Sequence, residues 1–348
     1  MTSSTLRSAA ALADAGLLGR DRLPALAEVA ARYAVALTPA LAALIDPDDP
    51  ADPIARQFLP DPAELVVSDA ECADPIGDDT HSPVRGIVHR YPDRVLLKAT
   101  HTCAVYCRFC FRREMVGPGK DKALSPAELD AAIGYIEDHP AIWEVILTGG
   151  DPLMLSPRRL SALMARLGRI GHLKVVRFHT RIPVADPAMI TDALVAAMKS
   201  PTQATWVALH ANHPRELTPA ARVACARIID AGMPMLSQTV LLAGVNDDAQ
   251  VLGELMRAFV ETRIKPYYLH HADLAPGTAH FRTGLAAGQA LIRQLRGDLS
   301  GLCQPTLMLD LPGGHGKVPV GPGYLAGDLD ACVSVEDPWG AVHAYPPG

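Results

Sequence analysis

The rhythm of apolar and polar positions changes twice along this chain. Up to about residue 60 the apolar positions, mostly Ala and Leu, recur at helical spacing and are interrupted by Pro24, Pro39 and the run DPDDPADP. That pattern predicts helices and no strand. Residues 61–92 are rich in Pro and Asp and read as an irregular connection. From Arg94 onward, short apolar runs alternate with amphipathic stretches. The runs are 94–100 (RVLLKAT), 144–148 (EVILT), 174–179 (KVVRFH), 205–210 (TWVALH), 236–242 (LSQTVLL) and 265–271 (KPYYLHH). Each has the length of a buried strand. Helix starts stand between them. Ser125-Pro126-Ala127-Glu128 is a capping box with proline in the first turn, and Ser156-Pro157 and Thr218-Pro219 repeat the cap-plus-proline device. A last helix at about 285–299 leads to a seventh apolar run, 305–310 (PTLMLD).

Strand–helix alternation at this spacing predicts an α/β fold with a parallel sheet and right-handed crossovers. Six units make a partial (β/α)6 barrel, preceded by a helical region (1–70) and followed by a C-terminal segment (301–348), with the barrel at 71–300. The unusual residues cluster at the C-terminal ends of the strands, the edge where parallel barrels build active sites.

Composition narrows the function. With 348 residues, 49% of them hydrophobic, the chain can bury the core of one such barrel and an extra helical piece. A net charge of −6 provides no field for nucleic acid. No run of 18 apolar residues is present, so no membrane span is expected. The N-terminal stretch MTSSTLRSAAALADAGLLGR could be read as a transit peptide, but Asp14 and the helical pattern favour an ordinary amphipathic helix.

The seven cysteines are an odd number, and three of them, Cys103, Cys107 and Cys110, fall inside eight residues. Thiols so close in sequence do not easily bridge one another, and the pattern reads as metal ligation in a reducing, cytoplasmic compartment. A four-iron cluster usually takes four thiolates; three leave one iron open for chemistry. The alternative is structural zinc, which needs a fourth ligand. His101 is awkwardly placed for that, and no second cysteine pair follows. A non-catalytic metal-binding module is the alternative of a different class.

The cysteine spacing resembles the radical S-adenosylmethionine (SAM) superfamily. The stretch DPIGDDTHSPVRGIVHRYPDRVLLKATHTCAVYCRFCFRR is similar to the lysine 2,3-aminomutase family within it. The similarity continues through LTGGDPLM, LHANHP, QTVLLAGVND, KPYYLHHADL, HFRT and PGGHGKVPV, roughly residues 55 to 325.

The resemblance assigns roles. It implies a [4Fe-4S] cluster on the three cysteines, with SAM held by Gly149, Gly150, Asp151, His210 and Gln238. By their residue types alone, Gly149-Gly150-Asp151 is an ordinary turn and the other two are core polar residues. It makes Lys317, in Gly313-Gly314-His315-Gly316-Lys317, the lysine that carries pyridoxal 5′-phosphate (PLP) as a Schiff base. A surface lysine on a flexible loop is the plain alternative. Arg94 then matches a phosphate-binding position, and Tyr91 flanks the ring. Arg112 matches the arginine that grips the substrate α-carboxylate. Asp273 and Asp310 match the two aspartates that bind the ε-ammonium of L-lysine. Two carboxylates suit a terminal cation and repel a substrate ending in a carboxylate. The implied reaction moves the amino group from C2 to C3, giving β-lysine, with a reductant such as flavodoxin or ferredoxin. A homo-oligomer stays open.

The sequence also departs from the family. Longer members carry a C-terminal cysteine cluster that binds zinc at a subunit contact. This chain ends at Gly348 without one, and Asp248 stands where the internal zinc cysteine is found, so no zinc is expected. Cys72, Cys225, Cys303 and Cys332 read as core or incidental thiols. The short length also resembles the branch that makes β-lysine for attachment to elongation factor P. That branch lacks the second aspartate, and Asp310 argues against it.

Overall fold

The computed structural model describes residues 4–115, 123–328 and 332–346. Its helices begin where the polar caps stand. Ser125 and Glu128 form the reciprocal capping box over Pro126–Glu137. Ser156 caps Pro157–Leu167, and Thr218 caps Pro219–Asp230. Each cap oxygen accepts one of the backbone N–H groups that a first helical turn leaves unpaired. Asp248 does the same for Ala249–Glu261, accepting from the N–H groups of Gln250 and Val251. The last long helix runs over Leu285–Asp298.

The strands are β1 (Ile87–Tyr91), β2 (Arg94–Thr100), β3 (Glu144–Gly149), β4 (Val175–Thr180), β5 (Ala204–His210), β6 (Met235–Leu241), β7 (Ile264–His271), β8 (Thr306–Asp310) and β9 (Lys317–Pro319). They form one sheet in sequence order. β2 to β8 are all parallel; β1 and β9 pair antiparallel at the two edges. The seventh apolar run therefore joins the sheet as one more parallel strand beyond the six expected. β1 lies inside the segment read as an irregular connection. It makes a hairpin with β2 across Pro92-Asp93, with Tyr91 facing Arg94. A second sheet, β10 (Leu325–Ala326), β11 (Val333–Glu336) and β12 (Val342–Tyr345), stands apart from the first.

Helices cover the outer face of the main sheet. The core between them runs through Leu97, Ile146's neighbours Val145 and Leu147, Val176, Leu209 and Leu241, packed on Leu160, Leu252 and Phe259. A second core joins the N-terminal helices through Leu12, Leu26, Leu37 and Phe58 and reaches the cysteine loop at Val105 and Tyr106. The alternation of side chains along a strand then decides what faces inward. Arg177 and His179 on β4, Ala208 and His210 on β5, Gln238 and Val240 on β6, and Tyr268 and His270 on β7 all line the concave side.

Candidate active site

The concave side encloses a cavity of about 530 Å3. All the residues singled out from the sequence line it: the three cysteines, Gly149 to Asp151, His210, Gln238, Tyr91, Arg94, Arg112, Asp273, Asp310 and Lys317. They come from segments far apart in the chain: most stand at or near the C-terminal ends of the parallel strands, while Tyr91 and Arg94 stand at the turn that opens β2.

At one end stands the cysteine loop, after β2. Burial pushes the Cys107 thiol up to about 11 and raises Cys103 and Cys110 as well. Buried thiols of this kind stay protonated until a metal displaces the proton. Among the described residues, no three His, Cys, Asp or Glu side chains converge on a point where a single ion could sit. Three thiols on one loop are the donor set of a four-iron cluster with one iron left open. The remaining cysteines lie elsewhere: Cys225 and Cys303 are buried, Cys72 and Cys332 exposed.

The Gly149-Gly150-Asp151 segment is zipped onto this loop. Gly150 N–H donates to the Thr100 carbonyl at 2.7 Å, and Asp151 N–H to that of Thr102 at 2.9 Å. A Cβ on Gly150 would stand 2.5 Å from the Thr102 oxygen. Gly149 has φ +108, a left-handed conformation that favours glycine. The glycines are thus required by packing against the cysteine loop. The expectation for Asp151 also changes. Its carboxylate accepts from the Thr180 hydroxyl at 2.7 and 2.8 Å, from Arg181 N–H at 2.7 Å and from Leu153 N–H at 3.0 Å. With its oxygens so engaged, Asp151 ties the segment to β4.

At the other end, Lys317 begins β9. Its ammonium stands 3.3 Å from Asp310, and its backbone N–H donates to the Tyr91 hydroxyl at 2.8 Å. That bond joins the two antiparallel edges of the sheet across the rim. Arg94 stacks over the Tyr91 ring at 3.9 Å and pairs with Asp93 at 2.6 Å. A cation, an aromatic face and an amine therefore line one cavity. Gly313, Gly314 and Gly316 all have positive φ. They let the loop press against the 74–82 segment, where His81 Nε2 meets the Gly314 carbonyl oxygen at 3.1 Å.

The two aspartates, Asp273 and Asp310, differ. Burial, with Asp310 adding to it, raises Asp273 to about 7. Burial works on Asp310 too, but the hydrogen bond from His270 and the Lys317 charge outweigh it and hold that carboxyl at about 2. Several buried polar atoms in this wall have no hydrogen-bond partner among the described residues: Nε2 of His179, His210 and His270. Orphan groups are costly in a finished core and ordinary in a site built for a polar ligand.

The structure adds residues that sequence reasoning missed. Asp78 is buried and collects three cations: Arg112 at 2.9 Å, Arg90 at 3.4 Å and Lys98 at 3.6 Å. Thr148 receives a second, longer bond from Arg112 at 3.5 Å. One anion against three cations leaves a positive surplus beside Arg112, suited to a carboxylate. Asp78 lies in a stretch without periodicity, so no local signal marked it. His270 bonds Asp310 at 3.2 Å, and its place two residues after Tyr268 on a strand was a signal that period-two counting could have used.

The Radical SAM superfamily profile matches residues 97–255. The L-lysine 2,3-aminomutase of Clostridium subterminale is 40% identical over 328 residues, covering 94% of this chain and 78% of that protein. The L-lysine 2,3-aminomutase of Acetoanaerobium sticklandii is 44% identical over 291 residues, covering 84% and 70%. The glutamate 2,3-aminomutase of Clostridioides difficile is 37% identical over 298 residues, covering 86% and 70%. No helix among the described residues is long and apolar enough to cross a membrane.

Proposed function

Because the chain belongs to the lysine 2,3-aminomutase family of the radical SAM superfamily, we propose that it uses PLP to convert L-lysine to β-lysine by moving the amino group from C2 to C3. The iron–sulfur cluster and SAM follow from the superfamily. The observation that carries the substrate assignment is the pair Asp273 and Asp310 in one cavity with Arg112 and Lys317. When bound, cluster and SAM supply one-electron chemistry and hydrogen abstraction, and PLP supplies an aldehyde and a conjugated ring across which nitrogen can migrate.

The chain's own residues do the rest. Cys103, Cys107 and Cys110 hold the cluster, and the 149–151 backbone, His210 and Gln238 border the SAM position beside it. Arg112, fixed in plane by Asp78, takes the substrate α-carboxylate. Asp310 and Asp273 take the terminal ammonium at the far end. A substrate held at both ends keeps its middle carbons in one register, and that register supplies the orientation a radical step needs. Lys317 provides the amine for PLP, with Arg94 on its phosphate and Tyr91 at the ring. The reacting atoms would lie in the cavity on the concave side of the partial barrel, where the surrounding side chains shield them from bulk water. A glutamate side chain would bring a carboxylate to the two aspartates, and this repulsion separates the chain from a glutamate mutase.

Anaerobically reconstituted protein with PLP, SAM, a reductant and L-lysine is expected to yield β-lysine, detected by NMR, with no turnover of glutamate. Turnover of glutamate in preference to lysine would refute the assignment. The elongation-factor branch is the second reading, and its mark would be slow turnover and the opposite product enantiomer; Asp310 favours the free-lysine reading.

A further inference from the structure

Arg181, the first residue after β4, is a buried cation placed against the cysteine loop. Its Nη1–H donates to Cys107 Sγ at 3.4 Å and its Nε–H to the His210 carbonyl at 3.2 Å. Nη2 donates to Gln57 Oε1 at 3.2 Å and pairs with Glu216 at 3.1 Å. The guanidinium lies between the Phe58 and Phe109 rings, 5.0 and 5.6 Å from their centroids. Glu216 is also fully buried, and its other oxygen accepts from the N–H groups of Asn212 and His213 at 2.8 and 3.0 Å. Glu216 is wholly enclosed, and Arg181 keeps only a small exposed surface, toward the cavity.

A neutral thiol is a weak acceptor and does not require an arginine. An iron-bound thiolate is an anionic one, and a charge-assisted bond to it is strong. Reduction of an iron–sulfur cluster adds one negative charge, and hydrogen bonds to the sulfurs and nearby charges shift the potential at which this happens. In a low dielectric the shift is large. A cation at Cys107 stabilises the reduced cluster; an anion behind that cation counteracts it. We propose that the buried Arg181–Glu216 pair sets the reduction potential of the cluster, with Arg181 raising it through Cys107 Sγ and Glu216 lowering it. The inference rests on the reading of the three cysteines as cluster ligands. Measuring iron and sulfide first keeps the two separate: a protein without a four-iron centre refutes that reading, whereas a loaded protein with unmoved potentials refutes only this one.

The test is a redox titration of the reconstituted full chain, followed by EPR of the reduced cluster. Glu216→Gln is expected to make the midpoint more positive, and Arg181→Met more negative. Each shift is expected to change the reduced-to-oxidised ratio at fixed potential at least tenfold, about 59 mV for a one-electron couple. Arg181→Lys keeps the charge and should fall between Arg181→Met and the wild type. A bridge that only holds the fold together would not move the two variants in opposite directions. Midpoints that stay put in cluster-loaded protein, or that move the same way, overturn the proposal. If Arg181→Met fails to assemble a cluster, Glu216→Gln decides alone, and a midpoint that does not rise overturns it.

Discussion

The two ends of the cavity are finished to different degrees. At the cysteine end, most of the protein's own charged groups pair off, although His210 Nε2 has no partner among the described residues. Glu64, fully buried, receives both Arg108 and Arg113, and Arg113 stacks on Tyr33 at 3.5 Å. Tyr106 N–H donates to the Ala36 carbonyl and Arg108 N–H to that of Gln57, both at 2.9 Å. The N-terminal helices thus clamp the loop through the protein's own groups. At the lysine end, the loop is glycine-rich, β9 is three residues long, and His270 and His179 keep orphan nitrogens. The difference teaches where order comes from. A cluster needs sulfurs in place beforehand, whereas the substrate end relies on the ligand to complete its hydrogen bonds.

The comparison can be broken from the cysteine end first. Cys107→Ala is expected to abolish cluster binding and SAM cleavage, read as lost iron, sulfide and 5′-deoxyadenosine. Retained SAM cleavage would show that the loop does not hold the cluster. Next comes Glu64→Gln, which leaves two buried guanidinium groups short of a partner. Removing one member of a buried ion pair costs about 3–5 kcal/mol. Denaturant unfolding should show a loss of that size, together with reduced iron uptake; a change under about 1 kcal/mol would mean that the clamp is dispensable.

The lysine end predicts smaller effects on stability and selective effects on substrate. Asp310→Ala should cost a few kcal/mol in binding the ε-ammonium, on the order of 30- to 100-fold in kcat/KM for lysine, while SAM cleavage persists. Unchanged lysine kinetics would sink the substrate assignment. The smallest effect is on pH. Burial raises Asp273 above its unfolded value, to about 7. The folded chain therefore holds this proton more tightly than the unfolded one, and the stability it contributes is lost as pH rises through 7. An incoming ammonium wants the ionised form. Lysine affinity should therefore strengthen as pH rises from about 6 to 8 and fall up to about tenfold per pH unit below 7. Asp273→Asn should bind more weakly and flatten that slope; an unflattened slope assigns the proton to another group.

Much of the barrel was legible because its signals are local. The run at 94–100 coincides with β2, and the runs from 144 to 310 lie within a residue of β3 to β8. The capping boxes start helices where they stand. β1 was passed over because its polar residues, His89 and Arg90, hide the alternation, although Tyr91-Pro92-Asp93-Arg94 carried a turn signal. β11 and β12 were likewise unread; their turn at Asp337 to Gly340 relies on the Asp337 carboxylate accepting from Trp339 and Ala341 N–H. For the site, residue types, spacing and family resemblance pointed to side chains that do line the cavity, but not to Arg177, His179, Arg181 or His270 beside them, and to few of their partners.

Periodicity and capping, which act over a few residues, are written in the chain itself. They determined the succession of the barrel's strands and helices and the loop that carries three thiols. The partners of the charged groups were decided only when the chain closed on itself. Asp151 proved to be engaged by Thr180 and Arg181, Asp78 to fix Arg112, and Glu64 to hold the cysteine loop. Each of those pairs joins segments distant in sequence, and a buried charge finds its counter-charge by proximity in space, which no local pattern encodes.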